Sequence, residues 1–403
     1  MRREFLLITF LLTIMYSDFA YAQLLSPDSS PNASRINLKE LTKKATSGNV
    51  ESQLQLGFAY QFGNGVEKDI GSSIGWYRRA ADNGNPLAQN NLGYIYETGP
   101  EGVRNIDEAA KWYMRAAVYG NPAAQFNIGL FYLRGKGLKQ SAPDALYWIQ
   151  RAADVEYSKA LAALGYIYAM GEGVPKDFDK AAKFARKAAG KHDPGGQALL
   201  GTLYAGGLGV SADSAEAVKW FRKGAKAGDA SAEYGLGIMY EMGRGVKQDF
   251  QEALQQYRLA GEHGSPEAQT ELGEIYEHGK GVKIDYQEAV KWYRRAADLG
   301  NTHAATRLGT MYFCDSGVER NLGEVVRLWT WAAQKGNSDA QFNLAGLYMT
   351  GTGVQRDFAK AYSLFTFAGK KLDVSKQLNE LSPKLSLGEW AEFRSTVGDH
   401  YDH

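Results

Sequence analysis

The hydrophobic pattern of the chain repeats every 36 residues. Tyrosine recurs nine times in one register, and glycine stands three residues before each of the first eight tyrosines, whereas Ala345 precedes the ninth. The nine are Tyr60, Tyr96, Tyr132, Tyr168, Tyr204, Tyr240, Tyr276, Tyr312 and Tyr348. A constant period of this size is typical of repeat architectures. The sequence therefore predicts one array and not a set of unrelated domains.

Residues 267–300 show the pattern of a single repeat. Leu272 and Tyr276 are spaced for one face of a first helix, and Gly279 follows them. Glycine adopts positive φ at a helix end without steric cost, so we expect the first helix to end there.

A second apolar run follows in the same repeat. Asp285 is a predicted N-cap, and Ala289, Trp292 and Ala296 share one helical face before Gly300. One helix pair cannot bury such large apolar side chains alone, so neighbouring repeats must stack. We expect the tyrosines of the 36-residue register, Tyr168 and Tyr240 among them, to be buried in that stack.

The predicted fold class is all-α: an α-solenoid of nine 36-residue helix-turn-helix repeats with terminal capping helices. The boundaries follow from where the motif starts and stops. They are a signal peptide at 1–22, a flexible linker at 23–37, an N-terminal capping helix at 38–50, nine repeats at 51–370, C-terminal capping helices at 371–397 and a tail at 398–403.

The consensus LGxxYxxGxGVxxDxxxAxxWYxxAAxxGxxxA resembles the Sel-1-like repeat family, a branch of the tetratricopeptide superfamily. Residues 272–304 and 92–124 match it best. The resemblance implies a groove lined by the first helix of each repeat and a role as an adaptor or scaffold, including in exported bacterial proteins. A cysteine-rich branch of the family is linked to penicillin binding or β-lactamase activity, but this chain has a single cysteine.

Charge and motifs narrow the function further. Lys and Arg number 46 against 45 Asp and Glu, which argues against a nucleic-acid partner but leaves a local basic patch open. One cysteine excludes a disulfide framework and a cysteine-based zinc site. No S-x-x-K, G-x-S-x-G, H-E-x-x-H or Walker A motif occurs. We therefore expect no enzyme activity, no metal and no cofactor.

The first hypothesis for the function is a scaffold that binds a partner protein or peptide in the first-helix groove. Two alternatives stay open: a cell-wall hydrolase of the β-lactamase or penicillin-binding type, and a periplasmic regulator of a membrane sensor.

The candidate groove residues lie on the side of each first helix that points away from its second helix. They are aromatic and sulfur-containing side chains together with asparagine, charged and aliphatic residues. The set is Phe58, Phe62, Asn91, Tyr94, Phe126, Asn127, Leu130, Arg134, Tyr166, Met170, Tyr234, Met242, Glu274, Phe342 and Asn343. The alternative is that neighbouring first helices bury these side chains. The family resemblance implies that Asn91, Asn127 and Asn343 bond a bound peptide backbone.

The first 22 residues have the pattern of a secretory signal. Arg2 and Arg3 precede an apolar run, and Ala20-Tyr21-Ala22 is an A-x-A cleavage site. We expect export, to the bacterial periplasm in the first place and otherwise to the extracellular space. No later stretch is apolar enough to span a membrane, so we expect no stable membrane insertion after cleavage. We also expect the chain to be a monomer.

We predict cleavage after Ala22, because signal peptidase cuts after the small residue that ends an A-x-A site. Mass spectrometry of the envelope fraction should find a mature N-terminus at Gln23. An intact Met1 on cytoplasmic protein would contradict the prediction.

Overall fold

The computed structural model describes residues 37–386 and Gly388. The predicted signal peptide, residues 23–36 of the linker, the tail, and Leu387 and 389–397 of the C-terminal cap lie outside these residues. Within them the chain forms twenty α-helices, one 3₁₀ turn and no strand. The predicted all-α class, a solenoid of helix-turn-helix repeats, is confirmed.

Nearly every helix of the repeats is 13 residues long. The helices are α1 (Leu38–Thr46), α2 (Val50–Phe62), α3 (Ile70–Asp82), α4 (Pro86–Thr98), α5 (Ile106–Val118), α6 (Pro122–Arg134), α7 (Ala142–Asp154), α8 (Ser158–Met170), α9 (Phe178–Gly190), α10 (Pro194–Gly206), α11 (Ser214–Lys226), α12 (Ala230–Met242), α13 (Phe250–Glu262), α14 (Pro266–His278), α15 (Tyr286–Asp298), α16 (Thr302–Cys314), α17 (Leu322–Gln334), α18 (Ser338–Thr350), α19 (Phe358–Ala368) and α20 (Ser375–Leu381). The even-numbered helices α2–α18 are the first helices of the repeats, and the odd-numbered helices α3–α19 are the second helices.

The chain divides into two compact units, with the boundary between Gly224 and Ala225 in α11. The N-terminal unit contains α1 and the repeats from α2 to α10, with most of α11. The C-terminal unit contains the repeats from α12 to α19, followed by α20. In each unit a first helix packs against the second helix of its own repeat and against the helices next in sequence.

The helix ends follow the predicted rules. Asp285 caps α15, since its carboxylate accepts a hydrogen bond of 2.9 Å from the backbone N–H of Glu288. Gly279 ends α14 in the left-handed conformation with φ of 67°. In the eighth repeat Asp315 replaces this glycine and still adopts φ of 57°. The turn geometry is therefore kept in the eighth repeat although aspartate replaces the glycine.

In seven of the nine repeats a first-helix glycine packs closely against a second-helix side chain of the same repeat. A Cβ atom at Gly273 would lie 2.4 Å from Cε1 of Tyr293, and one at Gly93 would lie 2.6 Å from Cδ1 of Tyr113. Glycine is needed at this position because the ring rests directly on the backbone of the first helix. The buried second-helix residues in this register are Tyr77, Tyr113, Ile149, Ala185, Phe221, Tyr257, Tyr293, Trp329 and Phe365.

The prediction that the tyrosines of the 36-residue register are buried is wrong. All nine, Tyr168 and Tyr240 included, are only half-buried. The hydroxyls of three of them, Tyr96, Tyr276 and Tyr312, reach the second helix of the preceding repeat. There the hydroxyl of Tyr312 accepts a hydrogen bond from the exposed guanidinium of Arg294. In seven of the nine repeats the buried aromatic residue comes instead from the second helix, 17 residues later (Tyr276 and Tyr293, for example), whereas Ile149 and Ala185 stand there in the third and fourth repeats.

Replacing Gly273 by Ala should destabilise the C-terminal unit by about 1–3 kcal/mol, because the added methyl group overlaps the Tyr293 ring. Gly346 in α18 is the matched control, since a Cβ there meets nothing within 4 Å. Gly346→Ala should stabilise the fold by up to about 1 kcal/mol through helix propensity. Urea unfolding followed by circular dichroism measures both changes. Equal effects of the two substitutions would contradict the packing argument.

Candidate functional site

The first helices of successive repeats lie side by side. In the N-terminal unit the Asn127 side-chain amide on α6 donates to Oδ1 of Asn90 on α4 over 3.2 Å. The Tyr166 hydroxyl on α8 donates to the backbone carbonyl of Gly195 on α10 over 3.1 Å. In each unit these helices form a continuous surface, which we call the first-helix face.

Five of the predicted groove residues are buried in the packing between helices. They are Asn91, Phe126, Asn127, Tyr166 and Tyr234, each at most 9% exposed. The expectation that they lie on an open face is therefore wrong. The physical reason is contact with neighbouring helices. Asn127 and Tyr166 bond the adjacent first helix, and the ring of Tyr234 lies 5.6 Å from that of Tyr257 on the second helix.

The other predicted groove residues are accessible from solvent to different degrees. Phe62 is exposed, and its ring packs against Phe58 with the centroids 4.6 Å apart. The half-buried members are Phe58, Tyr94, Leu130, Arg134, Met170, Met242, Glu274, Phe342 and Asn343. Contact of these residues with a partner stays a prediction.

The two units differ in the chemistry of this face. In the N-terminal unit Tyr94, Leu130 and Met170 are half-buried on three successive first helices, which gives a largely apolar strip. In the C-terminal unit the corresponding helices present the half-buried polar residues Glu274, Arg307 and Asn343 together with Met242 and Phe342.

An open cavity of about 460 Å³ lies on the first-helix face of the C-terminal unit. Side chains of α16 and α18 form most of its wall, and the indole of α17 closes its base. The lining residues are His303, Thr306, Arg307, Thr310, Phe313, Trp329, Asp339 and Asn343. Of the predicted residues only Asn343 lines this cavity. Arg307 is not among the predicted groove residues, although it stands 36 residues before Asn343. The eighth repeat matches the motif poorly, so its first helix is not among those with predicted groove positions.

Ion pairs connect the cavity wall to the preceding repeat. The Arg307 guanidinium donates to Oε1 of Glu277, and the Tyr293 hydroxyl donates to Oε2 of the same carboxylate over 2.7 Å. The Glu277 carboxylate therefore joins the buried ring of its own repeat to the first helix of the next repeat.

Glu274 is held in a similar way. Its carboxylate lies 3.1 Å from Nε2 of His303 and 3.5 Å from Nζ of Lys280. The hydrogen bond with His303 lowers the pKa of Glu274, against the opposing effect of burial. Lys280 also lies 3.8 Å from Glu271. Three glutamates of α14 therefore lie within ion-pair distance of a Lys or Arg side chain: Glu271 and Glu274 near Lys280, and Glu277 near Arg307.

The arrangement supplies hydrogen-bond donors, acceptors and aromatic surface in a concave setting. Across residues 37–386 and Gly388, no three His, Cys, Asp or Glu side chains are grouped so that they could hold a metal ion. In the same part of the chain, no helix combines the length and apolarity needed to cross a bilayer.

Replacing Tyr234 by Ala should cost about 3–5 kcal/mol of stability, because the ring is 4% exposed and its loss leaves a cavity. The half-buried Tyr240, in the same helix, is the matched control and should cost clearly less on replacement by Ala. Thermal melts of the two variants measure the difference. A larger loss of stability for Tyr240→Ala than for Tyr234→Ala would contradict this burial. It would support the expectation from the sequence, in which Tyr240 is buried and Tyr234 lies on the open face.

The comparisons with known proteins agree with this architecture. The Sel1 repeat matches nine consecutive segments of the chain, at residues 50–85, 86–117, 122–155, 158–193, 194–229, 230–265, 266–301, 302–337 and 338–371. A Sel1 repeat protein from Oxalobacter formigenes is 33% identical with a TM-score of 0.51, covering 77% of this chain and 90% of that one. The protective antigen c5321 of uropathogenic Escherichia coli, described as having an SLR fold, is 28% identical with a TM-score of 0.50, over 89% and 93% of the two chains.

A further relative shares a short segment. The secretory immunoglobulin A-binding protein EsiB of Escherichia coli O6:H1 is 42% identical over 52 residues, which are 13% of this chain and 11% of EsiB. The nine family matches cover most of the chain and coincide with the helix pairs seen in the structure. The chain therefore belongs to the Sel1 repeat family.

Proposed function

We propose that the chain is an exported, non-enzymatic scaffold that binds a partner protein or peptide on its first-helix face. The observation that carries this proposal is the open cavity between α16 and α18 in the C-terminal unit. A Sel1 repeat scaffold is suited to protein–protein interaction, because stacked repeats present a long row of equivalent positions.

The lining of the cavity supports a peptide ligand. The amide of Asn343 can donate and accept hydrogen bonds, as a peptide backbone requires, and the Thr310 hydroxyl can do the same. The half-buried ring of Phe313 offers apolar contact beside them. A few polar groups set within partly apolar walls are typical of sites that fix the orientation of a ligand.

The relatives support the class of partner only in outline. EsiB is named for binding secretory immunoglobulin A, which is a protein partner. Its similarity to this chain spans only 52 residues. We therefore propose a protein partner for this chain, and we do not propose that the partner is immunoglobulin A. The signal sequence supports export, and the absence of hydrolase motifs from the sequence supports a non-enzymatic role.

Photocrosslinking tests the proposal at one residue. We expect benzoylphenylalanine at Asn343 to crosslink one major partner in the envelope fraction, whereas the same group at the exposed Lys335 should not. The partner is then purified, and its Kd is measured for the unmodified chain and for the Thr310→Arg and Asn343→Arg variants.

Each arginine should fill part of the cavity and weaken binding at least about tenfold, roughly the loss of one anchoring contact. Circular dichroism confirms that the variants are folded. The proposal that the partner binds the first-helix face of the C-terminal unit would be contradicted by equal crosslinking at Asn343 and Lys335. It would also be contradicted if the Thr310→Arg and Asn343→Arg variants both bound the partner with unchanged Kd.

A further inference from the structure

One glutamine of the first helix makes the same hydrogen bond in five repeats. Its side-chain amide donates, over 2.7–3.2 Å, to a backbone carbonyl of the preceding helix that stands eight residues earlier in the chain. The pairs are Gln53 with Ala45, Gln89 with Ala81, Gln125 with Ala117, Gln269 with Gly261 and Gln341 with Ala333. This bond connects the first helix to the end of the helix before it.

The sixth repeat has glutamate at this position. Glu233 lies in the first turn of α12, is 2% exposed, and stands eight residues after Ala225 of the same unit. An ionised carboxylate has no hydrogen to donate to a carbonyl, so it cannot make the bond of the other five repeats. The sixth repeat therefore has a buried negative charge where those repeats have a neutral donor.

His263, which follows the last residue of α13, is the partner of this carboxylate. Its Nδ1 lies 2.8 Å from one carboxylate oxygen of Glu233 and 3.1 Å from the other. The imidazole is 46% exposed, so it exchanges protons with solvent. In the five glutamine repeats the position 30 residues after the glutamine holds no histidine. The histidine is therefore present where glutamate has replaced glutamine and absent from those five repeats.

The packing at this position offers few donors to a carboxylate. In three of the glutamine repeats the second amide atom, Oε1 of Gln53, Gln89 and Gln269, is buried without a hydrogen-bond donor from the described part of the chain. A carboxylate at the same position has two oxygens that need donors, and a buried charge without them is costly. His263 is thus the group that makes the ionised Glu233 tolerable.

Other charged groups around Glu233 are acidic. Beside His263, α13 contributes the carboxylate of Glu262, and α14 directs Glu267 and Glu271 towards the neighbouring Tyr234. On α12 itself, the carboxylate of Asp229 caps the helix by accepting from the backbone N–H of Ala232 over 2.8 Å. Burial raises the pKa of the Glu233 carboxyl, against the lowering effect of the hydrogen bond with His263.

We infer that Glu233 and His263 form a pH-sensitive joint, which holds the first turn of α12 firmly in mild acid and weakens its packing above neutral pH. An imidazole gains a proton as the pH falls through about 6.5, and the cation then makes a charge-assisted hydrogen bond with the carboxylate. In stronger acid the carboxyl of Glu233 is protonated, and its O–H can donate as the glutamine amide does. Above neutral pH the buried charge faces a neutral imidazole.

The direction of the effect follows from proton binding. Because the pKa of Glu233 is raised in the folded chain, the folded state binds more protons than the unfolded state above the ordinary glutamate value of about 4.3. The stabilisation is fully present below that value and is lost as the pH rises through the raised pKa. Since α12 also carries Met242 of the first-helix face, acidity sets the order of a helix on that face.

Hydrogen exchange of the purified full chain at about pH 5.5 and about pH 8 tests the joint, because these values lie on either side of the imidazole range. Protection factors, which correct for the pH dependence of intrinsic exchange, are compared for the first turns of α12 and α14. The first turn of α14 is the internal reference, since Gln269 stands there and does not titrate.

We expect α12, relative to α14, to be about tenfold less protected at about pH 8 than at about pH 5.5, which is the effect of roughly one unit in pKa. Glu233→Gln should remove this difference, because the amide does not titrate and restores the donor of the other repeats. A difference that persists in Glu233→Gln, or its absence from the unmodified chain, would overturn the proposal. So would a gain of protection in Glu233→Gln that is equal at both pH values, since it would show a purely structural role.

The matched control moves the joint to the next repeat. Gln269→Glu should make the first turn of α14 pH-sensitive, with the larger loss of protection at about pH 8, because it buries a carboxylate beside Leu299. Adding Leu299→His, 36 residues after His263, should recover protection at about pH 5.5. Circular dichroism confirms that the variants are folded. No recovery on adding the histidine would contradict the role given to His263.

Discussion

The contact between a first-helix glycine and a second-helix side chain sets the spacing of the two helices in most repeats. A Cβ at Gly57, Gly201 or Gly237 would lie 2.4–2.7 Å from ring carbons of Tyr77, Phe221 or Tyr257, so no larger residue fits without movement. Where the second-helix residue is small, as at Ala185, Leu199 of the next repeat approaches Gly165 instead. The same space is therefore filled by different residues.

The buried ring also connects the core to the face where we propose that a partner binds. The Tyr113 hydroxyl donates to Glu97 over 2.8 Å, and Lys136 of the next repeat lies 2.9 Å from the same carboxylate. The Tyr293–Glu277–Arg307 link repeats this arrangement in the C-terminal unit. Packing inside one repeat thus positions charged groups on the next repeat. The position of Arg307 in the cavity wall depends on this link.

The fold could be predicted from the period, because one helix pair recurs every 36 residues. The helix ends could be predicted from the turn glycines and the cap residues, because each of these acts within a few residues of sequence. Asp285 and Gly279 illustrate this. The exposure of single residues could not be predicted, because it depends on contacts between repeats. Tyr234 and Tyr240 lie in the same helix, but Tyr234 is buried, with its ring packed against Tyr257 of the second helix, whereas Tyr240 is half-buried.

A double-mutant cycle between Gly273 and Tyr293 tests the central contact most directly. The free energy of unfolding is measured for Gly273→Ala, Tyr293→Ala, the double variant and the unmodified chain. If the glycine exists to admit the ring, Gly273→Ala should lose its cost once the ring is removed, with a coupling of about 1–3 kcal/mol. Effects that add to within about 0.5 kcal/mol would contradict the account, since they would show that the two positions are independent.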